Sequence, residues 1–271
     1  MKKTLIALSI IASSAISGSA LAWSEGNFNG DINFGGDIQG TSVTWKWRLT
    51  SLTGINANFL DAVKEEDGVA SVVSGLIDAP VTILGGLTTG VSKSATQGLS
   101  PVITFGDGTT AIVSPVGSTP ETKSIRIDAH DANKRIGFFS FDFYPMAVIL
   151  GEHSTEGKKV YAGVADPASA YGNGYFKYKS SYDAVGNEGF KNGIIGGLGN
   201  DAPDFSNFTA STSGVANVAS YSSQESKYSN FQGAYAAIIK ANSGKLRVYE
   251  GYIPTSKIQW SAKLPVTVAY M

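Results

Sequence analysis

The stretch Trp23–Gly40, WSEGNFNGDINFGGDIQG, constrains the fold more than any other part of the chain. After Trp23, its apolar side chains all fall at even positions: Phe28, Ile32, Phe34 and Ile38. Glycine occupies the even positions between them at Gly30 and Gly36, while the odd positions from 25 to 39 carry Glu, Asn, Asp, Gly or Gln. A period of two is that of an extended strand with one apolar face. Such a face has to be buried, and there are three places to bury it. A hairpin at Gly35-Gly36 is a recognised two-residue turn. It would pair Phe34 with Asp37 and Asn33 with Ile38. Directly paired residues share a face, so Ile38 would then point away from Ile32 and Phe34. An unbroken strand keeps all four together, either as the first strand of its own sheet or on the open edge of another molecule's sheet. Burying four such side chains at ~1.5–3 kcal/mol each gives roughly 6–12 kcal/mol gross.

The residues before this segment read as a secretory leader. Lys2 and Lys3 precede an apolar run, Leu5–Ile16, too short to cross a bilayer, and Ala20-Leu21-Ala22 is a small-x-small cleavage site. The expected organisation is a signal peptide at 1–22, an N-terminal arm at 23–40 and a domain at 41–271. The chain contains no cysteine, so stability rests on burial and backbone pairing. Charged residues make up 16% of it and the formal net charge is −1, which loss of Lys2 and Lys3 makes more negative. A nucleic-acid partner calls for a basic face, and none is indicated.

Period-two runs recur along the chain. Val43, Trp45, Trp47 and Leu49 alternate with Thr44, Lys46 and Arg48. Further strands are expected at 79–84, 101–105, 109–114, 123–128, 136–144, 234–241, 245–252 and 257–270, with turn signals such as Gly106-Asp107-Gly108 between them. Phe59–Lys64 suggests a turn or two of helix. Short strands so spaced predict an all-β sandwich or barrel. The stretch 151–230, rich in Gly, Tyr, Ser and Asn, reads as a loop-rich insertion. At the carboxyl end, Trp260, Ala262, Leu264, Val266, Val268 and Tyr270 share one face of a final strand. Pro265 removes a ladder donor there and favours an edge.

Catalytic and metal motifs are weak. Asp128-Ala129-His130-Asp131 places Asp128 and His130 on one strand face, but the chain has only 2 histidines and no cysteine, short of a zinc set. Gly151–Lys158 has the wrong spacing for a P-loop, and no G-x-S-x-G elbow occurs. No enzyme, cofactor or metal is expected. For carbohydrate recognition, Tyr171, Tyr175, Phe176, Lys177, Tyr178 and Tyr182 supply stacking faces and polar groups in one short stretch; the alternative for that stretch is a variable surface or a small second core.

The leader Met1–Leu8, Trp23, Phe28-Asn29-Gly30, Gly35-Gly36-Asp37-Ile38, Trp45-Lys46-Trp47, Gln259-Trp260-Ser261-Ala262 and Tyr270 together resemble the FaeG-type major fimbrial subunits and adhesins of enterotoxigenic Escherichia coli, a chaperone–usher family. The resemblance covers about a quarter of the chain and is concentrated at its termini. It implies an incomplete immunoglobulin-like sandwich completed by donor-strand exchange. A periplasmic chaperone would fill the groove beside the last strand and hold the Met271 carboxylate. At the outer-membrane usher, the Trp23–Gly40 arm of an identical subunit would replace it. Phe28, Ile32, Phe34 and Ile38 would then fill pockets, with Gly30 or Gly36 where the groove is shallow. The resemblance further implies a surface fimbrium, cell adhesion, virulence, and a host glycoprotein or glycolipid receptor. The rival reading is a small outer-membrane β-barrel.

Overall fold

The structure, a computed structural model, describes residues 44–91, 101–116, 119–153, 156–163, 179–210 and 228–269. All of them belong to the unit Thr41–Met271. The strands are β1 (Trp45–Leu49), β2 (Val63–Lys64), β3 (Ala70–Ile77), β4 (Val81–Thr88), β5 (Val102–Phe105), β6 (Ala111–Val116), β7 (Thr119–Asp131) and β8 (Lys134–His153). They continue with β9 (Lys159–Gly163), β10 (Phe208–Ala210), β11 (Tyr228–Ile239), β12 (Ser243–Tyr249), β13 (Ser261–Ala262) and β14 (Val266–Ala269). One α-helix, α1, spans Lys179–Leu198. Pairing is antiparallel throughout except for β9 with β10.

The 20-residue strand β8 organises the fold. Its first half pairs with β7 on one side and β12 on the other. Its second half pairs with β11 and β9. The sheet β6–β7–β8–β12–β3–β2 therefore passes through β8 into the sheet β1–β4–β11–β8–β9–β10. Along the first half, Phe139, Phe141 and Phe143 are buried while Phe138, Ser140 and Asp142 are half-buried, the pattern of a sheet covered on one face. From Ala147 to Leu150 every residue is buried, because here both faces are covered. Ala147 and Ile149 enter the main core, and Val148 and Leu150 enter a second cluster under α1.

The described sheets form an immunoglobulin-like sandwich and do not close into a barrel. Strands β1 and β2 each have a single ladder neighbour among the described residues. No described helix is long and apolar enough to cross a membrane.

Strand β1 confirms the tryptophan face. Trp45 and Trp47 stack with ring centroids 5.1 Å apart, and Trp47 meets Tyr235 edge-on at 6.0 Å. Glycine makes the space beneath them: a Cβ at Gly86 would stand 2.2 Å from Trp47, and one at Gly233 2.6 Å from Trp45. Leu49, expected on the same buried face, is 66% exposed, because this edge strand ends there and Leu52 makes the core contact instead. Replacing Gly86 with alanine is expected to lift Trp47 off β4. The expected destabilisation is about 1–3 kcal/mol, read as a lower urea midpoint with red-shifted tryptophan emission.

Within the stretch 151–230, read as a loop-rich insertion, residues 154–155, 164–178 and 211–227 lie outside the described residues. Its described parts hold β9, α1 and β10. Phe190, Ile194, Leu198, Tyr161 and Phe205 build a second core against Ala234 and Ala236. Helix α1 approaches the sheet through glycines: a Cβ at Gly193 would lie 1.8 Å from Met146 Sδ, and one at Gly197 2.8 Å from Ala236 Cβ. The Tyr161 hydroxyl hydrogen-bonds Glu188 of α1. Burial first, and that carboxylate second, push the phenol far above its usual range.

Candidate assembly groove at the carboxyl-terminal strand

The sequence read Trp260, Ala262, Leu264, Val266, Val268 and Tyr270 as one face of a single final strand; Tyr270 lies outside the described residues, and the rest falls on two short strands, β13 and β14. Trp260, Ala262, Leu264, Val266 and Val268 are half-buried and pack on the main core, while Gln259, Ser261, Lys263 and Thr267 are exposed. Trp260 lies 5.2 Å from Phe139, ring to ring. The segment changes partner midway. Strand β13 pairs with β7 at His130 and Ala129. Further along β7, β6 takes the same edge, and the carboxyl end moves onto β5 as β14. Pro265 sits at this changeover, between the two ladders, where its missing N–H interrupts nothing. Its carbonyl accepts a hydrogen bond from the Gly106 amide at 2.8 Å. Among the described residues, neither β13 nor β14 has a ladder neighbour on its second edge.

Beside this segment lies a groove of about 540 Å³ with an apolar floor and partly polar rims. Ile136 of β8 and Leu246 and Val248 of β12 line its buried side, and 253–260 forms one rim. Residues 55–60 form the other. Ile55, Ala57 and Phe59 are half-buried and Asn56 and Asn58 exposed, so this rim is extended rather than helical up to a single 3-10 turn at Phe59–Asp61. The alternation Ile-Asn-Ala-Asn-Phe was the available signal for it. Leu60 at the rim is 93% exposed. The inner face of a two-layer sandwich is thus covered here by two separated rims with an apolar gap between them.

Polar anchors hold the surroundings. Arg247 of β12 forks onto Glu65, with Nε donating to Oε1 at 2.7 Å and the second amino group to Oε2. At the β5–β6 turn, the Asp107 carboxylate accepts the amides of Thr109, Thr110 and Ala111 and the Thr110 hydroxyl. These hydrogen bonds, the Thr110 hydroxyl foremost, hold its pKa well below the ordinary 3.8. A depressed folded-state pKa stabilises above the unfolded value and is lost as pH falls through the folded one. Asp107→Ala is therefore expected to lower the melting temperature at pH 7. The gap to wild type should persist through pH 4 and close only in stronger acid, as thermal melts across pH will read.

Other candidates fall apart or lie elsewhere. Asp128 is engaged by Arg135 at 2.9 Å, and His130 stands opposite Arg135 in the ladder. Among the described residues, no three His, Cys, Asp or Glu side chains gather to hold a metal. The arm residues Phe28, Gly30, Ile32, Phe34, Gly36 and Ile38 lie outside the described residues, as do Tyr171, Tyr175, Phe176, Lys177, Tyr178 and Tyr270. Tyr182 falls on the backbone of α1, with its side chain outside the described set.

Residues 1–271 match the K88 fimbrial family model, described as "Fimbrial, major and minor subunit". The chain belongs to this family. The family's description covers major and minor fimbrial subunits, so the chain is a fimbrial subunit. Among its relatives, K88 minor fimbrial subunit FaeI of Escherichia coli is 29% identical over 177 residues, which cover 64% of this chain and 66% of that protein. K88 fimbrial protein AC of Escherichia coli is 52% identical over 56 residues, 21% of this chain and 19% of the relative. The F41 fimbrial protein of Escherichia coli is 56% identical over 50 residues, 18% of each chain. The match to these relatives thus spans just under two thirds of FaeI and about a fifth of the other two.

Proposed function

We propose that this K88-family chain is a major, shaft-forming subunit that polymerises by donor-strand exchange. Residues 1–22 direct export. A periplasmic chaperone occupies the groove first, and at the outer-membrane usher the Trp23–Gly40 arm of the next subunit replaces it. Phe28, Ile32, Phe34 and Ile38 then pack along the groove and the carboxyl-terminal segment that continues from it. One observation carries this reading: a half-buried carboxyl-terminal segment, with no ladder neighbour on its second edge among the described residues, lies beside an open groove with an apolar floor, in a chain whose segment 23–40 has one apolar face and length to match. A strand added to that edge would gain ladder hydrogen bonds worth ~0.5–1.5 kcal/mol each, net.

Host-glycan adhesion is part of the same proposal. It is assigned to the Tyr171–Tyr182 stretch, whose rings and polar groups suit sugar stacking and hydroxyl recognition. The decisive experiment removes residues 23–40 behind an intact leader. Electron microscopy of the expressing cells should show fibres with the full chain and none with the truncated one. Fibres from the truncated chain would end the proposal.

A further inference from the structure

The arm and the strand beside the groove carry opposite charges at the same spacing. Glu25, Asp31 and Asp37 are the only charged residues of Trp23–Gly40, and each is six positions from the next. They lie on the odd face, opposite Phe28, Ile32, Phe34 and Ile38. Beyond Glu250, the carboxyl-terminal segment holds two charged side chains, Lys257 and Lys263, also six positions apart. Both are exposed, and neither forms an ion pair with the described residues. Six extended residues span about 20 Å, so the two charge ladders have the same pitch. The parity also agrees: residues 258, 260, 262, 264, 266 and 268 of the carboxyl-terminal segment are the half-buried ones, and the apolar residues of the arm sequence are likewise at even positions. The other rim carries Asp61 and no cation, so it offers the arm no counter-charge.

We infer that these charges set the register in which one subunit's arm enters the next subunit's groove: antiparallel, with Asp31 opposite Lys263 and Asp37 opposite Lys257. The inference rests on the donor-strand reading above and adds its alignment. Side-chain volume selects the same register. It places Gly30 opposite Leu264, Gly36 opposite Ile258 and Ile32 opposite Ala262, small against large each time, with Phe34 opposite Trp260. Glu25 falls opposite Ala269. A parallel arm matching the same charges would set Gly36 against Ala262 and Ile32 against Ile258, which alternates void and crowding. Antiparallel pairing is also the more stable ladder and the one used almost throughout this domain.

The chain has no cysteine, so a clean cross-linking test is available. Directly opposed strand residues lie within disulfide reach. Fibres of the Asp31→Cys, Lys263→Cys double variant should yield disulfide-linked ladders on non-reducing gels after mild oxidation. Fibres of Asp31→Cys, Lys257→Cys should not. Ladders from the second pair alone would overturn the register, whether the arm then runs parallel or is shifted by one period. Charge reversal reads the same contact without cysteine. Lys263→Glu should speed subunit loss from sheared fibres in urea about fivefold, and adding Asp31→Lys in the same chain should restore the wild-type rate. An unchanged rate, or no rescue, overturns the inference. Fibres that form without residues 23–40 would instead overturn the donor-strand reading beneath it.

Discussion

Phe34→Asp is expected to eliminate fibres while subunit still reaches the periplasm. In the proposed assembly, Phe34 inserts beside Trp260 over the apolar floor of the groove. Losing that burial removes about 1.5–3 kcal/mol. The carboxylate adds a desolvation penalty, because the groove floor beneath it is Ile136, Leu246 and Val248 and the one cation of the lining, Lys257, sits on the rim. Every 1.4 kcal/mol is tenfold in an equilibrium, so the junction weakens by several orders of magnitude. The arm is not part of the main core of its own subunit in this scheme, so the domain 41–271 keeps its fold. Immunoblots of the heat-sheared surface fraction and of the periplasm measure the two quantities separately. Wild-type fibre levels with Phe34→Asp would contradict the assignment of this side chain to the groove.

Gly137→Ala is expected to destabilise the domain itself severely. Gly137 sits in the first half of β8 opposite Val248 of β12. A Cβ there would lie 1.8 Å from the Arg247 carbonyl oxygen and 2.9 Å from its carbonyl carbon. These are backbone atoms, and no side-chain rotation relieves the clash. The β8–β12 ladder must open, and with it the contact between the floor of the groove and the strand β3 beyond. A cost of about 3–5 kcal/mol follows from overpacking plus lost pairing. That is a large share of the ~5–15 kcal/mol that holds a domain together. Periplasmic yield and the urea midpoint both report it. Gly90→Ala, where a Cβ meets nothing within 4 Å, is the matched control and should be near neutral.

How far the sequence could be read depended on how many faces of a strand are covered. The alternation of Trp45 with Trp47, and of Trp260 through Val268, was legible because one face is buried and the other wet. The same held for Phe139, Phe141 and Phe143, the part of β8 inside the expected strand 136–144. From Pro145 to His153 the strand continues, but α1 covers its second face and the alternation vanishes. Strand β3 was missed because Ser71, Ser74 and Gly75 break its apolar pattern; Gly75 has φ +72°.

Helix α1 was hidden for a different reason. Gly186, Gly189, Gly193, Gly196 and Gly197 each cost about 1 kcal/mol against alanine. They read as loop, yet Gly193 and Gly197 are what let the helix seat against Met146 and Ala236. A residue that disfavours a helix in isolation favours it where the sheet surface leaves no room for a Cβ. The groove divided likewise. Its carboxyl-terminal rim followed from period two, whereas its Ile55–Phe59 rim and its floor on β8 and β12 depend on contacts far apart in the chain.

By itself the sequence determined the strand-rich class, the one-faced terminal segments, the absence of disulfides and the fimbrial resemblance, because side-chain period and composition are local properties. Only the tertiary structure decided that β8 joins two sheets, that a glycine-rich helix roofs a second core, and that two rims leave an apolar gap beside Trp260. Those outcomes depend on which surfaces meet, and burial between distant segments leaves no periodic mark on either one.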